Sequence, residues 1–303
     1  PEGPGDPELR VPGQVLDVSP ILLQLGTVIL PGTRDHSGRA VVQVCMGGPV
    51  WAREHASSAE LTRLLMYLHS IPRKEVQDLG LVILVDARKG PVAPALSQAL
   101  KALQNTVPPI IHSILLLVDK ESTLRPDKDA AIQWEVVSSL KALHKLIDSS
   151  QLTAEFDGSF PYSHSDWVCF RKKLEPFTAN CKQAIVFLQN SVCSLNTHRA
   201  LGTAQEVTEL IYMHRAMMKC VLEDTLLVNL RLEGGAVLAR LRRDELIAGE
   251  DGWDAIEAAT RLYEQVDEEV HRLVLSSNRC LQQLEGLQEL RRHQEGPVQV
   301  SAA

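Results

Sequence analysis

Two acids stand where an α/β sheet most often places its chemistry. The apolar runs Leu81-Val82-Ile83-Leu84-Val85-Asp86 and Ile114-Leu115-Leu116-Leu117-Val118-Asp119 each end in aspartate, and ligand crevices open beyond the carboxyl ends of parallel strands. Two carboxylates there could share a proton or hold a metal. No third acid or histidine converges on them in sequence, and an aspartate closing a buried strand commonly caps the following turn, so a structural role is expected for both. The ten histidines include no HExxH pair and none beside a cysteine at zinc spacing, and His69 and His112 read as hydrogen-bonded side chains at the core edge. No GxSxG follows a strand, so a nucleophile elbow is not expected. Gly32, Asp35 and Gly38 could cradle a phosphate, but without a GxxxxGK pattern they read as a connection between strands. Cys45, Cys169, Cys181, Cys193, Cys220 and Cys280 form no CxxC pair and read as reduced, small apolar side chains. The expectation is therefore a chain without catalytic residues, metal or cofactor.

The elements that would position these residues are legible from periodicity. The run ending at Asp86 lacks alternation and suits a strand buried on both faces. Residues 91–105 place Val92, Leu96, Leu100 and Leu103 at helical spacing, with Pro91 to open the helix, and the run ending at Asp119 follows. That is a βαβ unit, expected to cross over right-handed. Upstream, residues 20–25 read as a short helix closed by Gly26, and residues 27–30 and 40–45 as two strands. The turn-rich stretch 31–39 between these strands predicts a hairpin. A helix is expected from Ser57 or Ser58 to Ile71, with Leu61, Leu64, Leu65 and Leu68 as its buried stripe and Ser58 near its cap. Residues 120–129 read as a polar loop, 133–137 as a further strand, and Leu140, Leu143, Leu146 and Ile147 mark a helix behind it. The fold class of this part is α/β, a mixed sheet with helices on its faces.

From Trp167 the period changes to heptads. Trp167, Phe170, Leu174, Phe177, Cys181, Leu188, Val192 and Leu195 step by threes and fours with Ala184 or Ile185 filling the gap, which predicts one seam of a long helix. A second helix is expected from Thr203 to about Ile247, with Val207, Ile211, Met218, Val221, Val228 and Leu232 in phase, His214 and Thr225 as polar exceptions, and a possible kink at Gly234-Gly235. Residues 248–252 read as a loop, and a third helix carries Ile256 through Leu287 in phase to about His293, with Tyr263 and Ser277 on its seam. Three such helices predict an all-α, up-down-up bundle. Composition agrees: of 303 residues 45% are hydrophobic but only 4% aromatic, which suits aliphatic helix packing. A net charge of -7 argues against nucleic acid as a partner, and no apolar stretch reaches the roughly 20 residues of a membrane span. Residues 1–14 have linker composition and 296–303 read as a tail, so a soluble, cytoplasmic fragment of a longer protein is expected.

One stretch carries a family resemblance. Leu152-Thr153-Ala154-Glu155-Phe156-Asp157-Gly158 resembles the Leu-Pro-x-Glu-Phe/Tyr-Gly-Gly signature closing a CRAL-TRIO domain, with Thr153 for the proline and Asp157 for the first glycine. Tyr162, His164 and Trp167 continue it as in the junction of Dbl-family Rho exchange factors, in which a CRAL-TRIO-like domain runs straight into spectrin-like repeats. Residues 32–39 are similar to the family's Gly-x-Arg-Asp-x-x-Gly hairpin, and 81–88 to its Val-Ile-x-Asp-x-Arg strand. The proline-rich entry without a preceding helical lobe is most similar to the puratrophin and Solo subgroup. The resemblance covers about residues 15–295 and implies a CRAL-TRIO-like domain over 15–163 and a spectrin-like three-helix repeat over 164–295.

It also implies two kinds of function. One is a non-catalytic regulatory and protein-interaction module, a scaffold bound to cytoskeletal proteins or to the parent's own exchange domain, with placement at cytoskeleton or membrane. The other is a phosphoinositide- or lipid-binding module, with Arg34, Arg39, Arg88 and Lys89, all near predicted strand ends, as a basic rim. Phe156, Tyr162, His164 and Trp167 are expected to anchor the sheet to the first long helix, with His164 or Ser165 as its cap, and Met213, Met217 and Met218 to fill space between helices.

Overall fold

In the computed structural model, which describes residues 12–52, 56–121, 134–195, 202–244 and 249–296, the central apolar run is a strand buried at every position. Residues 1–11, most of the expected loop at 120–129, Gln133, the break at 196–201, the expected helix end at Ile247 and the tail from 297 lie outside the described residues. Internal contacts divide the chain into two units, Pro1–Glu175 with Leu241–Glu257, and Pro176–Arg240 with Ala258–Ala303.

The first unit holds a five-stranded mixed sheet. β1 (Val28–Ile29) pairs antiparallel with β2 (Val41–Cys45), and β2, β3 (Leu81–Asp86), β4 (Ile111–Leu117) and β5 (Trp134–Val137) follow in consecutive order, all parallel. One face of the sheet offers Val41, Val82, Leu84, Leu115, Leu117 and Val137, which pack with Leu143, Ile147, Leu152 and Phe156. The alternate residues Leu81, Ile83 and Val85 are equally buried, so the absence of alternation does reflect two covered faces. The helices are α1 (Pro20–Leu25), α2 (Ser58–Ser70), α3 (Lys74–Gln77), α4 (Pro94–Gln104) and α5 (Leu140–Leu146). α2 packs against α4, as expected when successive parallel crossovers share one hand and fall on one face.

Small departures have local causes. α4 begins at Pro94 rather than Pro91, since proline at the first helical position loses no hydrogen bond and Ala93 is still extended. The cap of α2 is Ser57, whose Oγ accepts the Glu60 N–H at 3.2 Å, not Ser58, which is already helical.

The second unit is built from the long helices. α6 (His164–Leu195) contributes to both units, as does α9 (Gly249–Glu295); α7 (Ala204–Leu222) lies in the second, as does α8 (Thr225–Arg243) up to Arg240. The α6 seam is as spaced, with Trp167, Phe170, Leu174, Phe177, Cys181, Ala184, Ile185, Leu188 and Leu195 buried.

The expected second helix is two helices. Glu223 and Asp224 leave the helix, and Asp224 Oδ2 accepts the Leu227 N–H at 3.1 Å to start the next one. The interruption shifts the phase, so Leu227, Leu230, Leu238 and Leu241 are buried while Leu232 is 77% exposed. Nor do Gly234 and Gly235 end or replace a helix turn. A Cβ on Gly234 would fall 2.3 Å from Tyr263 Cε2, so the glycine is there to admit the Tyr263 ring of α9. The expected loop at 248–252 is helical from Gly249 onward. The polar seam residues His214 and Ser277 meet, with His214 Nε2 and Ser277 Oγ 2.7 Å apart in the buried interior. All six cysteines are free thiols, Cys181 and Cys280 buried, but Cys169, Cys193 and Cys220 exposed, contrary to a uniform role as small core residues.

Candidate functional site

The carboxyl ends of β3 and β4 lead to Asp86 and Asp119. Asp86 closes β3 almost fully buried, and its oxygens accept Arg88 Nε at 2.9 Å, Arg88 Nη2 at 2.8 Å and the Arg88 backbone N–H at 3.1 Å. It is a strand-end cap that folds its own loop back, and those bonds, despite some burial, raise the Arg88 pKa. Arg88 also donates to the Glu155 carbonyl at 2.9 Å and lies 5.9 Å over the Phe156 ring. Asp119 is exposed in the loop after β4. Among the described residues the strand order never reverses along β2 to β5, so the sheet has no switch point of the kind at which such sheets split open.

The β1–β2 hairpin is organised by its own polar residues. Asp35 Oδ1 accepts the N–H groups of Ser37 at 2.9 Å and Arg39 at 2.8 Å, while its other oxygen lies 3.4 Å from Arg39 Nη1. Arg34 turns inward, 8% exposed, and its guanidinium makes two bonds to Asp251, that from Nη1 measuring 3.3 Å. Burial would lower the Arg34 pKa, but the hydrogen bonds and charge of Asp251 outweigh it and the value is raised. The Arg34 N–H donates to Gln151 Oε1 at 2.9 Å.

The four basic residues considered for a rim therefore do not assemble. Ala40 precedes β2 and Cys45 ends it beside Asp86, so Arg34 and Arg39 sit at one end of the strands and Arg88 and Lys89 at the other. Five strand residues separate the ends by about 17 Å. Three of the side chains are engaged by carboxylates, and only Lys89, 73% exposed and 4.0 Å from Glu155, presents its charge to solvent.

The junction motif is explained by its backbone. Asp157 has φ +54°, the left-handed conformation that the signature glycine supplies and that aspartate tolerates. A Cβ on Gly158 would lie 1.9 Å from the Leu152 carbonyl oxygen, so that position accepts glycine alone. Thr153, in place of proline, donates its hydroxyl to buried Gln43 Oε1 at 2.7 Å. Phe156 is fully buried against the sheet, and Trp167 is 2% exposed with its ring stacked on His164, centroids 6.0 Å apart. His164 does not cap α6. Its Nε2–H donates to the Leu23 carbonyl, which leaves Nδ1 to accept the Tyr162 hydroxyl at 2.7 Å. Burial raises the Tyr162 pKa. Tyr162, His164 and Trp167 thus meet at the start of α6, and His164 joins it to α1, while Phe156 packs on the sheet.

Two anchors escaped sequence reasoning. Glu175, 8% exposed, accepts the Val15 N–H at 2.7 Å, Arg171 Nε at 3.1 Å and the Tyr67 hydroxyl, tying α6 to α2 and to the entering chain. It sits one position off the apolar seam and carries no spacing signal. Asp251 falls in the expected loop at 248–252 but lies in the first turn of α9, where acids are favoured. In the second unit, a cleft of about 340 Å³ is lined by Leu195, Leu210, Met213, Met217, Cys280 and Leu284, so Met213 and Met217 edge a cleft while Met218 is buried. Among the described residues no helix is long and apolar enough to cross a membrane.

The class defined so far is a mixed α/β sheet segment leading into a mostly helical one. No protein-family model matches the chain. Among curated proteins it is 70% identical over 301 residues to human pleckstrin homology domain-containing family G member 4B, covering 99% of this chain and 18% of that protein. It is 37% identical over 281 residues to human puratrophin-1, covering 92% and 23%, and 26% identical over 260 residues to human guanine nucleotide exchange factor DBS, covering 80% and 22%. The chain belongs to the puratrophin-like subgroup of Dbl-family Rho guanine nucleotide exchange factors. It spans about a fifth of the length of these relatives.

Proposed function

We propose that this segment is a non-catalytic regulatory and protein-interaction module of a Rho guanine nucleotide exchange factor, with a CRAL-TRIO-like domain over 15–163 and a spectrin-like repeat over 164–295. The observation that carries the reading is a pairing of two facts. A relative named as a guanine nucleotide exchange factor is matched over 80% of this chain, and the carboxylate that ends the central strand β3 is taken up by Arg88 rather than left open for a ligand. With Asp86, Arg34 and Arg39 engaged in internal ion pairs, the domain's work on this reading falls to its surface. The partners of such a surface are proteins, either cytoskeletal or the exchange domain of the same parent.

The test is removal of the segment from the full-length parent protein. Exchange rate on its GTPase and distribution in cells should change relative to the intact protein, and an unchanged rate together with unchanged placement would sink the reading. Sedimentation with phosphoinositide-containing vesicles supplies the contrast. Little association is expected, because the net charge of -7 is repelled by anionic membrane and the four basic residues are split between two ends of the sheet. Salt-sensitive, headgroup-selective binding lost on reversing Arg34, Arg39, Arg88 and Lys89 would favour a lipid module instead.

A further inference from the structure

Residues 249–257 open α9 and fall in the same compact unit as the β1–β2 hairpin. Asp251 receives both terminal nitrogens of Arg34, and the Glu250 N–H donates to the Gly32 carbonyl at 3.3 Å. The helix start, whose first N–H groups lack intrahelical partners, is thus capped by a loop more than two hundred residues upstream. A Cβ on Gly249 would lie 2.8 Å from the Gly32 oxygen, so the two backbones touch. Arg73 adds longer contacts, 4.0 Å to Glu250 and 3.8 Å to Asp254.

Apolar support is thin. Of the large apolar side chains in 249–257, Ile256 is buried at 5% exposure, while Trp253 is 52% exposed. Among the described residues the contact also leaves Thr33 Oγ1 buried with no hydrogen-bond partner, and gives buried Arg34 Nε and Asp254 Oδ2 only ion-pair contacts at 3.8 Å, to Glu250 and Arg73, in place of hydrogen bonds. A contact held by charge rather than apolar area, with desolvated polar atoms, regains hydration when it opens. Segments with few buried apolar contacts are those that open locally, ahead of the global transition.

We propose that the hairpin and the amino end of α9 form a releasable clasp, locked by Arg34 and Asp251, so that the first turns of α9 exchange between docked and released states while the sheet remains folded. The clasp is a property of this unit alone and does not depend on the regulatory reading above.

Amide hydrogen exchange on the intact chain tests it, comparing the unsubstituted protein with Arg34→Gln and Asp251→Asn. Amides of 253–257 should exchange faster than those of β3 and β4 in the unsubstituted protein. Either substitution should speed their exchange roughly a hundredfold or more, because a buried charge loses its partner. The β3 and β4 amides should keep their rates. Unchanged exchange at 253–257 in a folded variant would overturn the clasp. So would exchange that rises in step across β3, β4 and 253–257, since the pair would then belong to the global fold. Asp251→Asn, which keeps the size of the side chain but removes its charge and one acceptor oxygen, supplies the reading if Arg34→Gln does not fold.

Discussion

Two adjacent glycines in α8 should respond unequally to the same substitution. In an exposed helix interior, glycine to alanine stabilises by about 1 kcal/mol, through lower backbone entropy in the unfolded chain and better helix propensity. Both Gly234 and Gly235 lie within α8, so this gain is common to them. What differs is space. The added methyl at 235 finds its nearest neighbour, Tyr263 Oη, at 4.0 Å, an ordinary contact. At 234 it would meet Tyr263 Cε2 at 2.3 Å and Cδ2 at 3.0 Å, which requires the ring or the helix to move. The ring is also part of a packed site, tilted against Phe177 with centroids 6.0 Å apart. Overpacking of this kind costs about 1–3 kcal/mol, so Gly234→Ala should be neutral to about 2 kcal/mol destabilising while Gly235→Ala gains about 1 kcal/mol. The difference between the two variants, about 1–3 kcal/mol, is free of the propensity term. Urea unfolding followed by far-ultraviolet circular dichroism should therefore place the Gly235→Ala midpoint above that of the unsubstituted protein, and the Gly234→Ala midpoint at or below it. Equal midpoints, or the reverse order, would refute the close approach of Tyr263 as the reason for Gly234.

Trp167→Ala should destabilise by about 3–5 kcal/mol, since an almost fully buried indole is lost from the start of α6; an unchanged melting temperature would mean that its surroundings contribute nothing to folding. At the junction, Gly158→Ala should prevent the Leu152–Gly158 turn from closing and yield little folded protein, whereas Asp157→Gly should keep or slightly raise the melting temperature, because φ +54° suits glycine. Alkylation with iodoacetamide at pH 8 should label Cys169, Cys193 and Cys220 well before Cys45 and Cys181, whose thiols burial pushes up to about 11; peptide mass analysis gives the order. Those two thiols favour the folded state while protonated. Their contribution is therefore complete below the ordinary value of 9.0 and lost as the pH rises through about 11, and the melting temperature should fall across that window.

What the sequence by itself determined is set by local periodicity. The unbroken run at 81–86, short and preceded by Gly80, suits a strand covered on both faces, and the α6 seam from Trp167 to Leu195 is spaced for a single long helix; both are properties that a chain displays one residue at a time. At 152–158 the backbone demands are local, left-handed at 157 and without a side chain at 158, and the Asp157-Gly158 pair meets them. Three other matters needed the tertiary structure. The phase of α8 depended on Asp224 accepting the Leu227 N–H, a choice between two helix geometries that apolar spacing alone does not make. The basic residues 34, 39, 88 and 89 read alike as loop charges, and only strand register showed that they lie at opposite ends of the sheet with three of them tied to carboxylates. Arg34 and Asp251, and Tyr67 and Glu175, are separated by 217 and 108 residues, and no periodicity links partners so far apart. Their pairing is decided by which loop reaches which helix once the sheet has formed, because a buried charge must find its counterion wherever the fold places one.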